Sequence, residues 1–220
     1  MRPIPIRVWG DLALFTQPHL RANPISYDSM TPSGGHGILR ALYPKPEIEW
    51  EIRRILIHSP LKYWTTQYRM HKESRDSSKT PSAPTLQTRT FLRDVNYTIE
   101  ATFKVNPLRT TRTEASYLDE ILKRLRDRKH YTDPHFGQRE LEAYWELVEG
   151  DLPETIPLNR DLGRMLFMML PVDILNNKWE PIFFDAKIED GILNVPEGLY
   201  DDSREARMIA RNNAHPNKKK

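Results

Sequence analysis

Cysteine is absent from the 220 residues, which excludes disulfides, a thiolate nucleophile and cysteine-type zinc sites. The absence fits a reducing compartment, so the cytoplasm is the expected location. Long apolar runs are missing too: the longest candidate, Met165 to Val172, falls far below the roughly 20 residues a helix needs to cross a bilayer. Met1 to Phe15 is broken by Pro3, Pro5, Arg7 and Asp11 and lacks the apolar centre of a secretory signal. No membrane partner is therefore expected. His-x-x-x-His and Asp-rich patterns do not occur, and His130 and His135 are split by Pro134 without a third ligand, so neither a metal site nor a cofactor is expected. A P-loop, a G-x-S-x-G elbow and internal repeats are missing as well. Charge of one sign is scarce in excess: 33 Lys plus Arg stand against 30 Asp plus Glu, a formal +3, which alone does not demand a nucleic-acid partner.

What is present is enough for one substantial core, since 38% of the side chains are hydrophobic. Ile4, Ile6, Val8, Leu12 and Leu14 predict a first strand interrupted at Gly10-Asp11. Thr31-Pro32-Ser33 supplies an N-cap and a first-turn proline for a short helix with Ile38, Leu39 and Leu42 inward, ended by Pro44 and Pro46. Ile48, Trp50 and Ile52 alternate with Glu47, Glu49 and Glu51, and the phase slips at Arg53-Arg54, so a strand with a bulge is predicted through Ile57. Gln67 to Arg89 is polar and basic and predicts a mobile loop, within an insertion spanning 64–90. Val95 to Val105 alternates cleanly and predicts a strand. Leu118, Ile121, Leu122 and Leu125 define a second helix, with Ser116 and Asp119 in capping spacing, and Ala143, Trp145 and Leu147 define another strand.

The resulting order β, α, β, β, α, β predicts an α+β fold of the ferredoxin-like (RRM-like) kind over residues 1–150. Leu162 to Val172, Pro181 to Ile188 and Ile192 to Val195, with the turn Glu189-Asp190-Gly191, predict a small C-terminal antiparallel β extension over 151–200. Residues 201–220, ending in three lysines, predict a flexible basic tail.

Several groups bear on chemistry. Gly34, Gly35 and His36 sit at a helix start, where free N–H groups favour a phosphate; the same glycines equally suit close packing of helix on sheet. The 67–93 segment, with Arg69 and Arg93, and the group Arg109, Arg112, Lys123, Arg124, Arg126, Arg128 and Lys129 suit either an RNA backbone or a solvated face, the latter aided by Glu114, Glu120 and Asp127. Lys104 is a further basic candidate, and Tyr63, Trp64 and Tyr68 could stack on unpaired bases. Metal-free acid-base chemistry suffices to cut RNA, because its own 2′-OH can attack the adjacent phosphate. Tyr43, Lys45, Tyr117 and His130 are the candidates for it; Tyr43 would need a nearby cation to act as a base, or else it is a helix-end ring packed on the sheet.

Beyond these patterns, Val8-Trp9-Gly10-Asp11, Ser26-Tyr27-Asp28-Ser29-Met30-Thr31-Pro32-Ser33 and Gly37 through Pro46 follow one another at a specific spacing. Leu92-Arg93-Asp94-Val95, Gly137-Gln138-Arg139-Glu140 and Glu189-Asp190-Gly191 continue the series. Together they resemble the subtype I-C (Dvulg type) member of the Cas five family of CRISPR-associated proteins, in the RAMP superfamily, over nearly the whole chain. The resemblance implies a Cascade subunit that binds the 5′ handle of crRNA and cuts precursor crRNA at the repeat hairpin without metal. It implies backbone and large Cascade subunits as neighbours, and target DNA as an indirect partner read through the bound RNA. The family's catalytic tyrosine maps onto Tyr43. Its Lys-His pair falls on Ser116-Tyr117, and a further family histidine on Thr102. Two mechanisms follow: Tyr43 works with Tyr117 and a displaced cation such as Lys45, Lys104 or Lys129, or the subunit binds the handle without cutting. An RNA-recognition module outside CRISPR is the alternative of another class.

Overall fold

A computed structural model describes residues 2–20, 22–70, 85–173 and 176–204. The elements are β1 (Ile4–Ala13), α1 (Pro32–Leu42), β2 (Ile48–Ile57), β3 (Tyr63–Met70), β4 (Thr85–Val105), α2 (Glu114–Arg126), β5 (Tyr144–Leu147), β6 (Arg160–Asp173), β7 (Lys178–Glu189) and β8 (Ile192–Asn194). They form a mixed α and β fold around one antiparallel sheet with the order β5-β1-β4-β2-β8-β7-β6, and β3 pairs with β4 off this path.

The period-2 alternation of β1 and β4 puts Ile4, Ile6, Val8, Val95, Tyr97, Ile99, Ala101 and Phe103 into the core. Against them lie Ile38, Leu39 and Leu42 of α1 and Tyr117, Ile121 and Leu125 of α2. As the sequence suggests, Thr31 caps α1, accepting from the Gly34 amide at 3.0 Å, with Pro32 in the first turn. The bulge expected in β2 falls between Ile52 and Arg54. Asp190 and Gly191 both take positive φ, 48° and 76°, as a two-residue type I′ hairpin turn requires.

Five expectations need correction. The segment read as a mobile loop from Gln67 to Arg89 contains strand at both ends: Tyr63↔Leu92 through Met70↔Thr85 form an antiparallel ladder. It shows no apolar alternation because much of it is solvated on both faces, so the ladder is carried by backbone hydrogen bonds and β-branched Thr65, Thr66, Thr88 and Thr90. Residues 71–84 of that insertion lie outside the described residues. No interruption of β1 occurs at Gly10-Asp11; glycine is needed there because a Cβ would meet the Glu142 carbonyl at 2.7 Å. Helix α2 is capped by Thr113, which accepts from the Ser116 amide at 3.3 Å, so Ser116 is inside the helix rather than its cap. The C-terminal extension is part of the same sheet, since β8 pairs with β2. Finally, the start of the expected flexible tail is docked. Residues 198–204 are helical, Tyr200 and Ser203 are buried, and Arg204 pairs with Glu49 at 3.0 Å and with buried Glu51. The rest of that expected tail, 205–220, lies outside the described residues.

Candidate functional site

Tyr43 is the C-cap of α1, its amide bonded to the Leu39 carbonyl at 2.9 Å and its own carbonyl accepting from Trp50 Nε1 at 3.2 Å. The cap fixes the ring at the junction between the end of α1 and the first turns of α2. There its hydroxyl is buried, lacks a hydrogen bond of good geometry, and faces the Glu120 carboxylate. Burial first, then the neighbouring Glu120 charge, pushes the Tyr43 pKa well above the ordinary tyrosine value, against the opposing pull of Arg112. The side chain is thereby held as a neutral hydroxyl, because burial and Glu120 outweigh Arg112, the nearby cation that Tyr43 would need to act as a base.

Arg112, Ser116, Glu120 and Arg124 recur every four residues, so they share one side of α2 and the chain leading into it. Arg112 Nη1 meets Glu120 Oε2 at 2.8 Å, and its guanidinium lies 4.3 Å from the Tyr117 ring centre. Burial raises the pKa of the Glu120 carboxyl, but the Tyr43 hydroxyl, Arg112 and Lys45 outweigh it and leave the group below the ordinary range. Arg124 stands 5.8 Å from the Tyr43 ring centre. The structure thus brings Tyr43, Tyr117, Arg124 and, through its field on Glu120, Lys45 to one place.

Tyr117 is only 2% exposed, and its hydroxyl donates to Thr110 Oγ1 at 3.2 Å. It is a floor for Arg112 and not an exposed acid or base. His130 stays apart: the amides of Tyr131 and Thr132 bond the Ala41 carbonyl near Tyr43, but the imidazole turns to Asp133 at 3.0 Å and to Trp145. In the sequence Arg112 is one of a basic group that suits an RNA path or a solvated face, and Glu120 is one of the acids of that face; neither is marked there for catalysis. Their signal is the four-residue spacing across the Thr113 cap, which by itself also describes a solvated face.

The remaining candidates are dispersed. Gly34 and Gly35 give their amides to the Thr31 side chain and carbonyl, each at 3.0 Å. A Cβ on Gly35 would lie 2.6 Å from Ile52 Cδ1, and one on Gly34 2.8 Å from the Phe15 ring. These glycines pack helix on sheet, and the donors expected for a phosphate are already used. His36 is half-buried with its ring 5.8 Å from that of Tyr200. Tyr68 is exposed on β3 with the Arg89 guanidinium 4.9 Å from its ring centre, and Trp64 shares its face over Phe91. Arg69 is exposed on the same strand, and Arg93 is exposed beside Asp94. Lys104 is engaged by Glu51 at 3.6 Å and Asp201 at 3.4 Å. Arg128 is exposed just past α2 at φ 52°. Among the described residues, no group of His, Asp and Glu is arranged to hold a metal ion, and no helix is long and apolar enough to cross a membrane.

Comparison with known proteins matches residues 4–201 to the family model described as CRISPR-associated protein (Cas_Cas5), of the Cas5d type. The chain is 31% identical to the CRISPR pre-crRNA endoribonuclease Cas5d of Thermus thermophilus, over 92% of this chain and 95% of that protein. It is 30% identical to the protein of the same name from Mannheimia succiniciproducens, over 88% and 94%. A solved structure titled as that of a CRISPR-associated protein superposes with a TM-score of 0.67 at 20% identity, covering 89% of this chain and 92% of that one. With the family model matching residues 4–201 and both relatives aligned over most of their length, the chain belongs to the Cas5 family of CRISPR-associated proteins, in the Cas5d branch of subtype I-C.

Proposed function

We propose that this chain is a pre-crRNA endoribonuclease that cuts the repeat hairpin without a metal ion and stays on the 5′ handle of the crRNA as a subunit of the subtype I-C Cascade complex. Relatedness at 31% and 30% to two proteins named for that activity supports the reaction. The single observation that supports its location is the meeting of Tyr43 with Glu120, Arg112 and Arg124 where α1 ends and α2 begins. In this reading the 2′-oxygen gives up its proton to solvent and bonds to phosphorus while the bond to the 5′-oxygen breaks, leaving a 2′,3′-cyclic phosphate. The departing oxygen needs a proton, and the Tyr43 hydroxyl, kept protonated by its surroundings, donates it. Tyr117 supports the arrangement from below, and Lys45 adds positive charge.

The strand order β5-β1-β4-β2, with α1 and α2 in the two crossovers, supports a ferredoxin-like core for residues 1–150. Handle contacts are assigned to Tyr68, Arg69, Arg93 and Arg128, which offer a stacking ring and cations at the surface, and to the half-buried Arg124 beside Tyr43. Precursor crRNA, crRNA and the Cascade backbone and large subunits are the partners, and target DNA is met through the guide.

A second reading, handle binding without cutting, draws on the burial of Tyr43 at 3% and Tyr117 at 2% exposure. Incubating the purified chain with its cognate repeat RNA in EDTA separates the two. Cleavage at one position in the repeat is expected; tight, salt-sensitive binding with intact RNA would establish the second reading instead.

A further inference from the structure

The most exposed cation at the α1–α2 junction that is also fixed in orientation is Arg112. Its side chain is 41% exposed, yet three neighbours hold the guanidinium plane. The Tyr117 ring supports one face at 4.3 Å. Ser116 accepts at Oγ from Nε at 3.3 Å and from Nη2 at 3.0 Å, and at its carbonyl from Nη2 at 3.3 Å. Glu120 accepts from Nη1 at 2.8 Å. The second Nη1 N–H is left over, on the group that borders Glu120 and, through it, the Tyr43 hydroxyl. Nothing in the fold requires this: the exposed ion pair contributes little stability, and Tyr117 packs by its own burial.

The charge balance around the Tyr43 hydroxyl points the same way. Arg112 and Lys45 act on a single carboxylate, Glu120, and Arg124 stands beside the Tyr43 ring, so cations outnumber carboxylates at the junction. That is the environment in which a phosphodiester gathers negative charge as its pentavalent transition state forms. With its other N–H groups engaged by Ser116 and Glu120, the guanidinium keeps one oriented N–H for a phosphate oxygen, whereas the ammonium of Lys45 is a point charge on a mobile stem.

We propose that Arg112 is the catalytic cation of this site, binding a non-bridging oxygen of the scissile phosphate, and that Glu120 is a positioning residue that holds Arg112 and Tyr43 in mutual register. The assignment rests on the endoribonuclease reading above. The phosphate oxygen takes the remaining Nη1 N–H, and Ser116 and Tyr117 keep the guanidinium plane fixed. Glu120 acts without touching the substrate, by anchoring Nη1 and facing the Tyr43 hydroxyl.

The test is single-turnover cleavage of cognate repeat RNA by the full chain in EDTA, measured with the RNA affinity for wild type, Arg112→Ala, Arg112→Lys, Glu120→Gln and Glu120→Asp. Arg112→Ala is expected to lose about 100-fold or more in cleavage rate, with a far smaller change in affinity. Added guanidinium ion should restore part of that rate, and methylammonium should not. Arg112→Lys, which keeps the charge, should stay closer to Arg112→Ala than to wild type. Glu120→Gln should slow cleavage with RNA affinity little changed, and Glu120→Asp, which keeps the carboxylate, should recover part of the rate. Cleavage by Arg112→Ala at the wild-type rate, or a loss that guanidinium cannot rescue, overturns the assignment while leaving the nuclease reading standing. A wild-type chain that cuts nothing overturns both.

Discussion

The Tyr200 hydroxyl closes the unpaired edge of β2 at its bulge: it accepts from the Ile52 amide at 2.7 Å and donates to the Ile52 carbonyl at 3.3 Å. Strand β8 pairs with β2 only from Arg54 to Leu56, so Ile52 has no strand partner on that side and the tyrosine takes the place of one. The residues are 148 apart in sequence, and Arg204 reinforces the attachment through Glu49 and Glu51. Removing the hydroxyl in Tyr200→Phe leaves a buried amide and carbonyl with unmet hydrogen bonds, a loss of about 1–3 kcal/mol. A lower urea midpoint at unchanged m-value checks this; an unchanged midpoint would show that the edge does not depend on Tyr200.

The glycines of α1 separate two roles that the sequence left open. Gly37 has open space where a Cβ would sit, whereas a Cβ on Gly35 would press on Ile52. Gly37→Ala should therefore stabilise the chain by roughly 0.5–1 kcal/mol through helix propensity. Gly35→Ala receives the same propensity gain but adds core overpacking of about 1–3 kcal/mol, so a net loss is expected. Thermal unfolding of the pair reads the contrast, and equal shifts in the same direction would contradict it.

His58 gives the fold a pH dependence of defined sign. Its Nδ1 lies 2.8 Å from the Glu154 carbonyl and its Nε2 2.8 Å from Thr98 Oγ1, an arrangement that suits the neutral ring. Burial, with Arg7 nearby, lowers its pKa from the ordinary 6.5 despite the opposing Glu154 bond. Above 6.5 both folded and unfolded chains carry a neutral ring, and the group contributes no pH dependence. Below that value the unfolded chain takes up a proton first, so stability falls until the folded ring titrates in turn. Urea midpoints measured from pH 7.5 down to about 5 should fall less steeply in His58→Gln than in wild type; identical slopes would remove His58 from the acid response.

Much of this architecture was legible because faces of different polarity write themselves into sequence. Val95 to Val105 alternates since one face meets the apolar core while Thr98, Glu100 and Thr102 are buried on the polar face, and Thr31-Pro32 marks a helix start by its own chemistry. Strand β3 was not legible, because Thr65, Gln67 and Arg69 face solvent and a solvated ladder leaves no periodicity. The docking of Tyr200 and Arg204 depends on partners far away along the chain, so the segment resembled a tail. At the candidate site, Tyr43 was readable from its place at a helix end and from the family resemblance. Arg112 and Glu120 looked like an ordinary charged face until the C-cap of α1 brought Tyr43 against them.

Tyr43→Phe measured under single-turnover conditions on cognate repeat RNA in EDTA tests the central claim most directly. The account predicts a fall in cleavage rate of about 10²–10⁴-fold with RNA affinity essentially unchanged, because the hydroxyl serves the departing oxygen and not the grip on the RNA. A variant that cuts as fast as wild type would contradict the placement of the cutting centre at the α1–α2 junction.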